Sequence, residues 1–292
     1  MAQHRIVGAR ALTLVQISFS HYNERARWAL DYAGLPYKTI PVLPLLHFPT
    51  VAFWSWWYND ANKRAGRANT SLSTPLLLVN GADGTRSTIH ESGDIVTAAH
   101  IAHPQSALIP ASWSAQDDAF VQRLHDELGP AVRTYVYGAI ALTDASIFRE
   151  LGWRNSSMID AAVWVLTSPL LCAAMYRAMY ATPERARRAA AKVEAIFDDV
   201  SKMLAARAGP TAAAYLGGDG RAFTAADLTF ASLGALVVGI DHDAGYGGWV
   251  PPRSRCSREA RDFIERMRAT PAGQHIVRCY SEHRVAPSNP MR

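Results

Sequence analysis

Strand signals stop at Ser114, and from there on the chain is written in a helical period. Apolar residues recur every three or four positions over 115–144, 157–180, 183–207, 224–239, 257–269 and 271–283. After Thr182, Pro183 suits a first helical position, and residues 189, 193, 196, 197, 200 and 204 keep one face. The first hundred residues instead alternate strand with helix. A chain divided this way makes a small α/β domain and then an all-helical one, because each pattern needs its own packing partner. At 292 residues, 49% of them apolar, there is material for both cores.

The α/β part can be followed element by element. ALTLVQISF (11–19) is a near-continuous apolar run, as in a strand buried on both faces. Ala26, Ala29, Leu30 and Ala33 then share one helix face, and Gly34 and Pro36 end that helix. YKTIPVL (37–43) gives a second strand, parallel to the first in a right-handed crossover unit. Residues 76–79 and 87–90 form a hairpin around Asn80, Gly81, Asp83 and Gly84. A helix opens at Glu91 or Ser92 and runs to Ala102; 103–113 is a connector.

Charge excludes more than it assigns. There are 30 basic and 25 acidic residues, and only Lys38, Lys63, Lys192 and Lys202 among the basic ones are lysines. The densest basic run, Arg253 to Arg268, interleaves Glu259, Asp262 and Glu265. Arg258 with Asp262 and Arg261 with Glu265 make a solvated helix face, whereas phosphate binding needs unopposed positive charge. No nucleic-acid partner is expected. Cys172, Cys256 and Cys279 are scattered, without a CxxC pair, which fits a reducing compartment and a cytoplasmic protein. The N-terminal apolar run, Ala11 to Ile17, is too weak for a signal peptide. The stretch from Ala161 to Tyr176 is too short for a span and carries Thr167, Ser168 and Pro169. It is expected as a buried helix, bent or broken at Pro169, with no membrane partner. Asp241-His242-Asp243 has no zinc spacing, and His100 and His103 lack further ligands, so no metal is expected.

Four motifs carry the functional reading. Thr74-Pro75 stands at a strand start, where a proline cannot donate to the ladder. Either it is an ordinary trans proline, or a cis bond turns the Thr74 backbone toward an extended peptide ligand. Ile89-His90-Glu91-Ser92 joins a strand to a helix N-terminus. That is a simple cap, or a site where Ser92 meets a carboxylate and Glu91 an ammonium. In SFSHYNERARWAL, Ser18, Ser20, His21, Tyr22 and Asn23 lie between a buried strand and a helix, where a hydroxyl can donate to a thiolate. No GxSxG surrounds any serine, which disfavours a hydrolase. In YLGGDGRAFTAADLTFASL, Thr224 and Asp227 form a capping box, and Phe223 with Leu228 a hydrophobic staple.

In this order and spacing the four motifs resemble the glutathione transferase superfamily, from about Leu12 to His283. The resemblance implies a thioredoxin-like α/β domain over 1–105 and an all-α helical domain over 114–292 (the glutathione transferase fold). The family's catalytic Ser or Cys lies five residues before the first Arg, and counting back from Arg25 lands on Ser20. Pro75 takes the cis-proline position, Glu91-Ser92 the pair that holds the γ-glutamyl group, and GGDGRAFTAADLT the capping-box signature. The sequence departs from the pattern before Pro75: Asn69 is kept, but TSLST replaces the usual residues.

The resemblance implies a glutathione-dependent transferase acting on a small hydrophobic, aromatic electrophile by conjugation, reductive cleavage or isomerisation. The expected catalytic residues are Ser20, Tyr22 and Asn23. Thr74, Pro75, Glu91 and Ser92 are expected to bind glutathione. Trp54 and Trp57, from a tryptophan-rich stretch that also holds Trp56, are expected to wall the electrophile pocket with Tyr135 and Tyr137, the alternatives for the tryptophans being a subunit interface or a satellite core under a long loop. Adjacent residues turn by about 100° on a helix, so Tyr135 and Tyr137 do not share one face. Serine in place of cysteine disfavours disulfide chemistry. A homodimer follows from the resemblance alone, and the alternative is a non-catalytic binding or assembly module of the same fold.

Overall fold

β1 (Ala11–Gln16) and β3 (Leu76–Asn80) form the middle of a mixed sheet ordered β2-β1-β3-β4, with β2 (Lys38–Pro41) and β4 (Arg86–Ile89) at its edges. β1 runs parallel to β2, pairing Thr13 with Lys38, and antiparallel to β3, pairing Leu12 with Val79. The computed structural model describes residues 6–58, 71–155, 158–178, 182–207, 214–240 and 253–284. Alternate residues of a strand face opposite sides, and both sides are covered here. Leu12, Leu14, Leu77 and Val79 enter the main core, with α1 (His21–Tyr32) and α3 (Ser92–Ala102). Val15, Ile17, Leu76 and Leu78 enter a second core with Val51, Tyr58 and Trp54, around α2 (His47–Trp57). Gly34, at φ +65°, closes α1 in a left-handed conformation that costs glycine little.

The helical part begins with a rod. Ser114 and Asp117 make a reciprocal capping box for α4 (Ala115–Arg123). The rod continues through a π turn (Leu124–Leu128), α5 (Gly129–Val136) and a second π turn (Tyr137–Ala141). After it come α6 (Ala145–Arg154), α7 (Met158–Ala178), α8 (Pro183–Arg207), α9 (Ala225–Val238), α10 (Arg258–Ala269) and α11 (Pro271–His283).

α9 is buried along nearly its whole length and packs on α1, α5, α10 and α11. Its capping box forms as expected. Asp227 Oδ2 accepts from the Thr224 N–H at 2.9 Å and the Thr224 hydroxyl at 2.7 Å, while Oδ1 accepts from Leu216 N–H and the His275 ring.

α7 departs from expectation. It is not broken at Pro169, where the Ser168 hydroxyl donates at 2.9 Å to the Val165 carbonyl, the acceptor that proline's missing N–H leaves free. It is also only half-buried: Trp164 is covered, while Val163, Leu166 and Leu170 are exposed. No helix among the described residues is long and apolar enough to cross a membrane.

A buried ionic seam ties the two parts together. The Arg284 side chain donates to Glu24 Oε1 at 2.8 Å and to Asp31 Oδ2 at 2.9 Å. Arg27 covers the other Glu24 oxygen at 2.8 Å and also donates to Gln16 and the Ser18 carbonyl. Fully buried charges persist when paired and hydrogen-bonded in this way. Asp241-His242-Asp243 and the stretch beyond Arg284 lie outside the described residues.

Candidate functional site

Ser20 is the N-cap of α1 by backbone geometry (φ −83°, ψ 129°), yet its side chain caps nothing. A serine at this position ordinarily turns its oxygen back onto the first free N–H groups of the helix. Here the backbone alone makes the turn: Ser20 N–H donates to Ile17 carbonyl and Glu24 N–H to Ser20 carbonyl. The hydroxyl is left facing a cavity, with the positive end of the α1 dipole behind it.

The next two residues are engaged by the rod. Gly129 N–H bonds to Leu124 carbonyl in the first π turn. In an α-helix it would have bonded to His125. Residue 130 is proline and has no N–H to offer. The His125 carbonyl is therefore without a helical donor, and the Tyr22 hydroxyl donates to it at 2.9 Å. The His21 ring donates to the Gly129 carbonyl at 3.0 Å. A Cβ on Gly129 would lie 2.1 Å from the Tyr22 oxygen, so this approach requires glycine. Burial, helped by the Arg133 charge, pushes His21 down to about 3, so it is neutral near pH 7. Burial pushes Tyr22 up to about 12.

Across the cavity floor the Thr74–Pro75 peptide is cis. Asn23 is fully buried, and its amide donates to Thr74 Oγ1 at 3.1 Å. Asn23 thus stands behind Thr74 and does not line the cavity. Pro75 is buried at the head of β3. Farther along, Glu91 caps α3 with its side chain about half exposed, and Ser92 is 1% exposed. Ser92 Oγ, Asn23 Oδ1 and Arg25 Nε are buried without a protein partner. An orphaned hydroxyl in the first turn of a helix suits a carboxylate, which that turn's free N–H groups also favour.

The cavity itself measures about 320 Å³ and lies between the two parts of the chain. Ser20 and Thr74 stand on the sheet side. Leu45, His47 and Phe48, at the start of α2, form one flank, and Met175 of α7 comes in from the helical side. The facing wall is the rod, with Arg133, Val136, Tyr137, Ile140 and Ala141. Its last part is the second π turn, a distortion that recurs at functional sites. Burial pushes Tyr137 up to about 12, so its phenol stays protonated and can donate.

The structure therefore brings Ser20, Tyr22, Thr74 and Tyr137 to one cavity, with Asn23 and Pro75 behind it. Glu91 and Ser92 lie off this cavity, beside Arg25 and His125. Tyr135 points the other way and packs on Phe263, ring centroids 4.3 Å apart. Trp54 and Trp57 do not reach the cavity either. Trp54 packs under the sheet, and Trp57 is exposed with the Arg86 guanidinium 5.2 Å from its ring centre. Both sit on α2 beyond its first turn, and only that first turn, His47 and Phe48, borders the cavity. Sequence reasoning missed His47, Phe48 and Arg133. Arg133 was within reach, since it stands one turn before Tyr137, and i and i+4 share a face. Among the described residues no three His, Cys, Asp or Glu side chains gather to hold a metal.

Residues 19–100 match the family model described as the glutathione S-transferase N-terminal domain. No curated protein matches the sequence. Among solved structures, the fold is similar to a glutathione S-transferase of Ceriporiopsis subvermispora in complex with glutathione. That match has TM-score 0.55 and 18% identity, and it covers 96% of this chain and 100% of the other. A glutathione transferase family member of Pseudomonas fluorescens with two glutathione bound gives TM-score 0.53 at 12% identity, covering 94% and 90%. A beta-etherase of a Sphingobium strain gives 0.50 at 17%, covering 92% and 99%. Residues 19–100 thus carry a glutathione S-transferase N-terminal domain, and the chain as a whole has the glutathione transferase fold.

Proposed function

We propose that the protein ionises the thiol of glutathione at Ser20 and directs it at an apolar, aromatic electrophile held against the rod. The observation that carries this reading is the Ser20 hydroxyl, free of any capping bond and facing an apolar cavity at a helix N-terminus. Such a hydroxyl donates to a thiolate better than to a thiol, and each pKa unit gained is worth about 1.4 kcal/mol. His21 and Tyr22 are held by the rod, which leaves Ser20 as the donor. Thr74 presents its backbone to the cysteinyl part of the tripeptide, with Asn23 as its positioning residue. Ser92 and the α3 N-terminus take the γ-glutamyl carboxylate, and Glu91 the ammonium. Residues 1–105 thus bind the donor and 114–292 the acceptor. Tyr137 donates to a polar group on the acceptor. The thiolate sulfur forms the new bond and the displaced group leaves with its electron pair. Conjugation and reductive ether or halide cleavage share this first step, and the likeness to a beta-etherase fits the latter.

The acting form in this reading is a cytoplasmic homodimer, with the exposed Phe53, Trp56 and Trp57 of α2 available as a subunit face. Sedimentation of the purified protein tests that part. Calorimetry with glutathione over a range of pH tests the chemistry, alongside Ser20→Ala. Binding with proton release, and loss of the release in the variant, is the expected result. Absence of binding would leave the fold as a non-catalytic module.

A further inference from the structure

Arg133 is the cavity's permanent charge. Among the described lining residues there is no aspartate, glutamate or lysine. The two histidines on the lining carry no charge near pH 7: burial holds His21 at about 3 and lowers His47. The other arginine near the α1 N-terminus, Arg25, is buried away from the cavity, with Nη1 3.4 Å from His125 Nδ1. Arg133 stands one helical turn beyond Gly129, to which His21 is bonded, and one turn before Tyr137. No hydrogen bond or ion pair to a described residue holds its guanidinium. Arg133 is itself exposed to solvent, so it stands as a cation at the mouth of an apolar cleft, where it attracts an anion.

Resting on the donor site proposed above, we propose that Arg133 is a specificity-determining residue that selects acceptors bearing an anionic group, a carboxylate above all. The side of the cavity it stands on decides between the two possible sources of that anion. In the proposed donor site Thr74 and, off the cavity, Ser92 hold the tripeptide on the sheet side, whereas Arg133 shares its wall with Val136, Tyr137 and Ile140 of the rod. The acceptor it fits is an aromatic acid. Its ring lies against Val136, Ile140, Phe48 and Met175, its carboxylate on the guanidinium, and its electrophilic carbon toward Ser20.

The test compares a chlorodinitrobenzoate with its methyl ester, which share one electrophilic carbon and differ in the anion. In both, the thiolate sulfur bonds to the ring carbon as the carbon–chlorine bond breaks and chloride departs with the pair. The ratio of kcat/KM for acid over ester is measured in wild type, Arg133→Gln and Arg133→Lys, with glutathione affinity measured in each. The acid-to-ester ratio should fall on the order of 10-fold in Arg133→Gln and be largely restored in Arg133→Lys, with glutathione affinity moving far less than the ratio. An unaltered ratio overturns the proposal. So does a loss confined to glutathione affinity, which would assign the anion to the tripeptide. If wild type binds no glutathione, the donor reading fails by itself. Binding of dinitrobenzoate against its methyl ester, by calorimetry without glutathione, then tests Arg133 with the same expected and overturning ratios.

Discussion

The Tyr22 hydroxyl donates to the His125 carbonyl at 2.9 Å, which makes Tyr22 a fastener between α1 and the rod. Tyr22→Phe should therefore cost stability, about 1–3 kcal/mol for an unpaired carbonyl, and leave the ionisation of a bound thiol in place. Ser20→Ala should do the reverse and raise the bound thiol's pKa by about one unit or more. Denaturant titration and the absorbance of the bound thiolate against pH separate the two. A thiol pKa that follows Tyr22 instead would move the catalytic role there.

Gly129 permits that fastener, because a Cβ there would lie 2.1 Å from the Tyr22 oxygen. Gly129→Ala is expected to destabilise the protein by about 1–3 kcal/mol through overpacking. Combined with Tyr22→Leu, it should cost less than the two separate losses added together, since both act on one contact. Strict additivity in a denaturation cycle would show that the clash is relieved elsewhere.

His21 sets an acid limit. Its pKa in the folded chain is about 3 against an ordinary 6.5, so below 6.5 the unfolded chain binds the proton and the folded one does not. The stability is fully present above about pH 6.5 and is lost as pH falls toward 3, by about 1.4 kcal/mol per unit. His21→Gln keeps an N–H for the Gly129 carbonyl and has no proton to gain. Unfolding free energies between about pH 4 and 7 should fall less steeply in this variant; parallel slopes would show that His21 does not titrate in this range.

Asp227 is fully buried and accepts four hydrogen bonds, from Leu216, from both donors of Thr224 and from His275. Asp227→Ala leaves several buried donors without an acceptor, at about 1–3 kcal/mol for each one left unpaired. Thr224→Ala, which loses a single capping hydroxyl, should cost about 0.5–2 kcal/mol. Thermal melts rank the two, and equal losses would mean that the network relaxes around either change.

The fold was largely legible because its signals are local. The apolar run of β1, Gly34, the Asn80 to Gly84 turn and the Thr224–Asp227 box each fix one element by chemistry within a few residues. The place before a helix marked Ser18 to Asn23 together, and only the resemblance, counting back from Arg25, singled out Ser20. Orientation around a helix was harder to read. Tyr135 and Tyr137 stand two apart, and only the packing of Phe263 against Tyr135 decides which one faces the cavity. The tryptophans of α2 were open for a related reason, since their composition suits a pocket wall, an interface or a small core alike, and only the helix shows Trp54 packed under the sheet and neither Trp54 nor Trp57 at the cavity. At Pro169 the freed carbonyl is taken up by one hydroxyl, that of Ser168, which propensity does not weigh. The engagement of Tyr22 depends on a π turn about a hundred residues away, followed by a proline. Neither has a signature near Tyr22.

The pairing of Arg284 with Glu24 spans 260 positions of the chain. A ribosome therefore makes the whole α/β half long before it makes the cation that neutralises that half's buried carboxylate. Until then the nascent first domain holds Glu24 with Arg27 alone and leaves Asp31 without its arginine. A polypeptide truncated short of Arg284 lacks the bonds that tie the end of α11 to α1 and keeps the Asp31 carboxylate without its cation.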